Sequence, residues 1–205
     1  MSVLRLPSLP ANAGKQQWGN LPGAALSLAI AEAASNAGRF TLVLTEGSQS
    51  AERLQEELAF FAPNLPVLHL PDWETLPYDV FSPHQDIISQ RIAALYQLPQ
   101  LSRGILVVPI ATALHRLAPK RFLLGSSLVL DVGQTLDVEQ MRTRLEAAGY
   151  RCVDTVYEHG EFAVRGALID LFPMGSDKPY RIDLFDDEIE TLRTFDPETQ
   201  RSVDK

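Results

Sequence analysis

One cysteine, Cys152, is all that the 205 residues contain. An internal disulfide is excluded, and a reducing cytoplasm is the natural setting. Histidine is scarce too: four residues, scattered, with no recognisable set of zinc ligands around them. No apolar run is long enough to span a bilayer, and no charged-then-apolar segment suggests a secretory leader. Positive charge is also in short supply. Residues 1–125 carry nine Lys/Arg and nine Asp/Glu, whereas residues 126–205 carry nine and seventeen, so the net charge of −8 falls entirely in the second part. Phosphate-backbone binding needs clustered positive charge, so tight nucleic-acid binding by this chain alone is not expected. A steered encounter with a protein partner remains open.

A second absence concerns nucleotides. A phosphate loop, G-x-x-x-x-G-K-[ST], wraps backbone N–H groups around phosphates and brings a lysine to them. The nearest approach is Gly19-Asn20-Leu21-Pro22-Gly23, with the glycines at the wrong spacing and no lysine following. No ATP site, and no cofactor of any kind, is expected. The segment reads instead as the entry to a helix packed on a sheet.

What is present is an ordinary globular composition, 45% hydrophobic and 21% charged, without internal repeats or low-complexity runs. Residues 1–21 read as a surface-running arm. The alanine- and leucine-rich run from Pro22 to Ala37 predicts a helix with Gly38 just past its end. FTLVLT (40–45) predicts an inner parallel strand, and residues 48–61 an amphipathic helix capped by Ser48 or Ser50. Strands at 66–70 and 105–109 and a short helix at 110–117 complete an α/β layer over residues 22–124. From residue 125 onward a small α+β domain is expected. Its parts are a strand at 128–132, a helix headed by Asp137 and closed by Gly149, a strand within 150–157, and further strands around Arg165 and Arg181.

The stretch 158–195 is short strands cut by turn signals at Gly166, Pro173, Gly175 and Pro179. Strand alternation points Ile182 and Leu184 to a core and Arg181, Asp183 and Phe185 the other way. Arg165 shares its face with Glu161 and Ala163, opposite Phe162 and Val164. Arginine and aromatic residues are enriched at the energetic centres of protein interfaces, so this face is the candidate partner site. In the bland alternative, Phe185 packs under a loop and the arginines pair with Asp183 or Asp187. The run Asp186-Asp187-Glu188 reads as a solvated turn between strands.

GEFAVRGALIDLFP (160–173) and RIDLFDDEI (181–189) resemble domain 2 of the UvrB homology module, which occurs in UvrB and in transcription-repair coupling factors. DWETLPYD (72–79) with FSPHQDIIS (81–89) is similar to the coupling factors specifically. The resemblance covers nearly the whole chain. It implies a degenerate helicase-like (RecA-like) parallel-sheet lobe without its phosphate loop, followed by the α+β domain 2. It also implies a piece of a longer protein in which the first domain continues afterwards. The implied function is that of a non-catalytic adaptor, a monomer, that recruits UvrA to lesions where RNA polymerase has stalled. Polymerase and double-stranded DNA would be bound by parts of the full-length protein outside this chain. Self-masking of the surface by a distant domain is implied as well. Arg165, Arg181 and Phe185 fall on the motif positions that carry the UvrA contact: the arginines would pair with acidic groups and Phe185 would fill an apolar pocket. Asp183 and Asp187 would orient the arginines.

Two other readings compete. A DNA-binding lobe of UvrB itself lacks support, because its tyrosine-rich hairpin is missing: the chain runs from Pro83 through SQRIAALYQL to the strand at Ile105, with only Tyr78 and Tyr96 nearby. A metal-dependent hydrolase would use Asp72, Glu74, Asp79, His84 and Asp86, whose spacing matches no ligand pattern. Trp73, Leu76, Pro77, Tyr78 and Phe81 interleave with them and predict a packed loop, with Asp86 capping the following helix.

Overall fold

The computed structural model describes residues 14–76, 78–125 and 128–203. They form two compact units, one made of 14–74 with 97–117 and the other of 75–96 with 118–203.

The first unit is built on a three-stranded parallel sheet in the order β1 (Phe40–Thr45), β3 (Gly104–Pro109), β2 (Val67–His69). The central strand β3 is GILVVP, every residue of it buried, as a strand covered on both faces must be. Helices α1 (Ala25–Ala37) and α2 (Ser48–Phe61) bring Ala31, Ala34, Ala51, Leu54 and Leu58 against Ile105 and Val107 of that strand. Alanines on α1 allow the two helices a close approach. The helix stops where Gly38 takes the left-handed conformation, φ 61°. Ser50 performs the expected capping of α2, its hydroxyl accepting from Gly47 N–H at 3.3 Å. Gly104, at φ 145°, passes so close to Pro66 that a Cβ would stand 2.8 Å from the Pro66 carbonyl oxygen.

The second unit is a six-stranded mixed sheet: β4 (Arg151–Cys152), β5 (Glu161–Arg165), β6 (Leu168–Phe172), β7 (Tyr180–Phe185), β8 (Glu188–Phe195) and β9 (Ser202–Val203), in chain order. The β4–β5 pair is parallel and every other pair antiparallel. One face packs Phe162, Ile169, Leu171, Ile182, Leu184 and Ile189 against Leu136 and against Met141 and Leu145 of α6 (Val138–Ala147), which follows the short helices α4 (Ile110–Ala113) and α5 (Lys120–Gly125) in the chain. Asp137 caps α6 as expected, accepting from Gln140 N–H at 2.9 Å, and Gly149 leaves it at φ 89°. Strand parity holds: Ile182 is fully buried and Leu184 nearly so.

Four expectations need correction. FTLVLT (40–45) is not an inner strand: among the described residues β1 lies at the edge of the three-stranded sheet, with Leu42 and Leu44 about half exposed. Residues 128–132 form no strand. Only Leu130 packs against the core, while Val129 and Val132 are exposed, and the chain turns back with Gln134 N–H donating to Asp131. Pairing with the β7–β8 hairpin is limited to the Thr135–Glu188 bridge and its flanking hydrogen bonds. Of the residues expected to pack in the loop after Asp72, Trp73 is half-buried, Leu76, Tyr78 and Phe81 are largely exposed, and Pro77 lies outside the described residues. Asp86 does not cap α3 (Gln85–Gln97) but sits in its first turn, where its Oδ1 meets His159 Nδ1 at 2.9 Å. His159 also stacks on Phe172, 3.9 Å between centroids, and its Nε2 lies 2.8 Å from the Ser176 carbonyl. Further along α3, Ser89 accepts from Gly175 N–H at 2.8 Å, and Tyr150 accepts from Met174 N–H at 2.9 Å. These bonds pin the β6–β7 connection and with it the start of β7.

Candidate partner-binding site

The sheet face opposite α6 should be polar by parity, and it is only partly so. Ala163, Phe172 and Phe195, with Val156, make a small second core on it. Beside that core lies a checkerboard of charge. In the ladder register, Asp170 of β6 stands opposite Arg181 of β7, which stands opposite Arg193 of β8. One step along, Leu168 stands opposite Asp183, which faces Thr191. Arg165 closes the pattern from β5, diagonal to Asp170.

Each guanidinium is held by a carboxylate. Asp170, with no exposed surface, accepts from Arg181 Nε at 2.7 Å and Arg181 Nη2 at 2.9 Å, and also from Arg165 Nη2. Arg181 donates further to the Gln200 carbonyl at 3.1 Å and lies over the Phe195 ring, 4.7 Å from its centroid. Hydrogen bonding to Asp170 raises the Arg181 pKa above its ordinary value, against the opposing effect of burial, so the cation is secure. Asp183 accepts from Arg193 and, at 2.5 Å, from the Thr191 hydroxyl. Burial pushes the Asp183 carboxyl up, but those hydrogen bonds and the charges of Arg193 and Arg181 outweigh it and leave it below the usual 3.8. Like charges directly opposite one another, as Arg181 and Arg193 are, destabilise a sheet unless countercharges sit between them. Asp170 and Asp183 supply those countercharges.

Exposure separates the five expected residues. Phe185 is 72% exposed at the end of β7, on a two-residue turn in which Asp186 adopts φ 56° and the Asp187 carbonyl accepts from Leu136 N–H at 2.7 Å. It does not pack under a loop. The Arg165 side chain is 44% exposed, whereas that of Arg181 is 14%. Arg181 therefore faces away from the main core, as parity requires, yet lies under cover. Asp183 belongs to Arg193. The Asp187 side chain is exposed in the turn and shares no described hydrogen bond with either arginine.

Asp170, Thr191 and Arg193 complete the face, and reading the sequence as motifs passed over them. A lone carboxylate at an alternate position in LIDLF, between Ile169 and Leu171, was the available signal. A shallow groove lined by Arg165, Leu168, Asp183, Glu190, Thr191 and Arg193 runs beside the arginines. Among the described residues, no group of three or more His, Cys, Asp and Glu side chains could hold a metal ion, and no helix is long and apolar enough to cross a membrane.

An exposed aromatic at a hairpin tip, on the face where arginines are fixed by carboxylates, Asp170 fully buried and Asp183 partly so, has the makeup of a protein-interaction surface. Sequence comparison agrees in kind: residues 128–205 match the UvrB interaction domain family. The chain is 51% identical to the transcription-repair-coupling factor of Escherichia coli over 97% of its length, and 51% identical to that of Haemophilus influenzae over 90%. The Bacillus subtilis protein of the same name is 28% identical over 93%. The chain spans about a sixth of each, 16–17% of their length. Nearly the whole chain is thus similar to one part of the transcription-repair-coupling factors, and its second part matches the UvrB interaction domain.

Proposed function

We propose that this chain is a non-catalytic adaptor that recruits UvrA during transcription-coupled nucleotide excision repair, working in the cytoplasm. The observation that carries the reading is an exposed Phe185 on a face where three arginines are held in place by two aspartates, on an otherwise acidic unit. Arg165 pairs with a carboxylate of UvrA at the surface, and Phe185 enters an apolar pocket beside it. Arg181 contributes its charge from beneath. In the full-length protein, RNA polymerase and double-stranded DNA are bound by regions outside these residues. The three-stranded parallel unit is a degenerate helicase-type lobe whose nucleotide site has been lost, in keeping with the Gly19 to Gly23 segment.

Calorimetric titration of the chain with purified UvrA tests this, with the Arg165→Glu variant as the control. Binding by the wild type, weakened at least about tenfold by the charge reversal, is the expected result. A folded wild-type chain that does not bind UvrA refutes it.

A further inference from the structure

Asp170 has no exposed surface, so no partner can reach it directly. A carboxylate with no exposed surface, bound by two guanidiniums, acts only through them. The two arginines are held differently. Arg181 gives Asp170 both its Nε and its Nη2, gives Nη1 to Gln200, and lies over Phe195, so little of it is left to offer. Arg165 touches Asp170 through Nη2 alone, and its side chain is the more exposed of the two. Among the described residues, its Nε and Nη1 have no hydrogen-bond partner.

We infer that Asp170 is the positioning residue of this face: it tethers Arg165 through Nη2 alone and leaves the other N–H groups of the guanidinium free to donate to a partner carboxylate. The inference rests on the UvrA reading above. Two physical effects support it. An arginine side chain is rich in rotamers, and fixing it before the encounter removes part of that entropy cost from binding. A single carboxylate between two guanidiniums also cancels their mutual repulsion while leaving one net positive charge for the partner. Arg181 then serves as the fixed side of the cradle, doubly bonded to Asp170, and Arg165 as the reaching side.

The test is a double-mutant cycle on UvrA affinity with Asp170→Asn and Arg165→Met, each variant checked for folding by circular dichroism. Asp170→Asn is expected to weaken binding about tenfold, and the double variant to bind no more weakly than Arg165→Met alone. Asparagine opposite a half-buried guanidinium threatens the fold. The cycle is therefore repeated in an Arg181→Met background, where no buried cation demands the carboxylate, and the same non-additivity is expected there. A merely structural Asp170 would lower the melting temperature while its effect and that of Arg165→Met multiplied. In the wild type itself, arginine side-chain NMR should show restricted rotation of the Arg165 guanidinium; free averaging overturns the inference. Multiplying losses, or wild-type affinity in Asp170→Asn, overturn it as well while leaving UvrA recruitment standing. A wild-type chain that fails to bind UvrA removes both.

Discussion

Replacing Phe185 by alanine should separate binding from stability more cleanly than any other single change. The side chain is 72% exposed in the free chain. Its removal leaves no cavity and breaks no packing, so the unfolding free energy should shift by no more than about 0.5 kcal/mol. The turn that carries it is held by backbone bonds, including Leu136 N–H to the Asp187 carbonyl, which alanine does not disturb. Binding is another matter. A phenylalanine this exposed brings roughly 150 Å² to a partner's pocket, which at about 25 cal/mol per Å² corresponds to nearly 4 kcal/mol if covered completely. Hot-spot truncations that keep a partial contact cost about 2 kcal/mol or more, so a loss of at least about thirtyfold in UvrA affinity is expected. Thermal unfolding and calorimetric titration of the same two samples give both quantities. Unchanged affinity would refute the role assigned to Phe185. A large fall in stability would refute the description of its environment.

Other changes probe the rest of the account. Arg181→Glu sets a second carboxylate against the fully buried Asp170 and should cost more than about 3 kcal/mol in denaturant unfolding, whereas Arg165→Glu, more exposed, should cost far less. For this reason a binding loss in Arg181→Glu has no meaning without a folding control. In the first unit, burial depresses the His69 pKa below its usual 6.5, with Glu52 opposing. The unfolded chain then binds the proton more readily, so stability should be full above about pH 6.5 and fall as pH drops through the folded-state value. His69→Leu should flatten that dependence in urea unfolding between pH 7 and 5; an unaltered slope would contradict it. Gly104→Ala drives a Cβ into the Pro66 carbonyl at a backbone angle that side chains rarely adopt. A loss of about 2 kcal/mol or more is expected from the first unit, and wild-type stability would show that the close approach is not as described.

Much of this fold is legible in the sequence because strand and helix periods dictate it. The parity of RIDLF alone separates Ile182 and Leu184 from Arg181, Asp183 and Phe185, and ILVVP reads as a strand, though the central place expected for FTLVLT falls to it instead. What parity cannot supply is cover. It turns Arg181 away from the α6 side without revealing Phe195, Gln200 and Asp170, which close over it from 11 to 19 residues away in sequence. The same limit explains Asp170, whose partners lie on two other strands. LVLDV reads as a strand by composition, but an edge segment needs pairing partners along its length, and the β7–β8 hairpin offers it little more than one bridge. The loop after Asp72 reads as packed because aromatic and acidic residues alternate along it, yet Leu76, Tyr78 and Phe81 stand in solvent. His159 shows the converse: an isolated histidine with no sequence signal proves to be a bolt between α3 and the sheet.

Hydrogen–deuterium exchange of the chain with and without UvrA tests the central claim most directly, because it reads the bound surface without altering any residue. The account predicts added protection at the β7–β8 hairpin around Phe185 and at the β5–β6 turn after Arg165, with residues 40–70 unchanged. Protection confined to the parallel-sheet unit, or none at the hairpin under saturating UvrA, would contradict it.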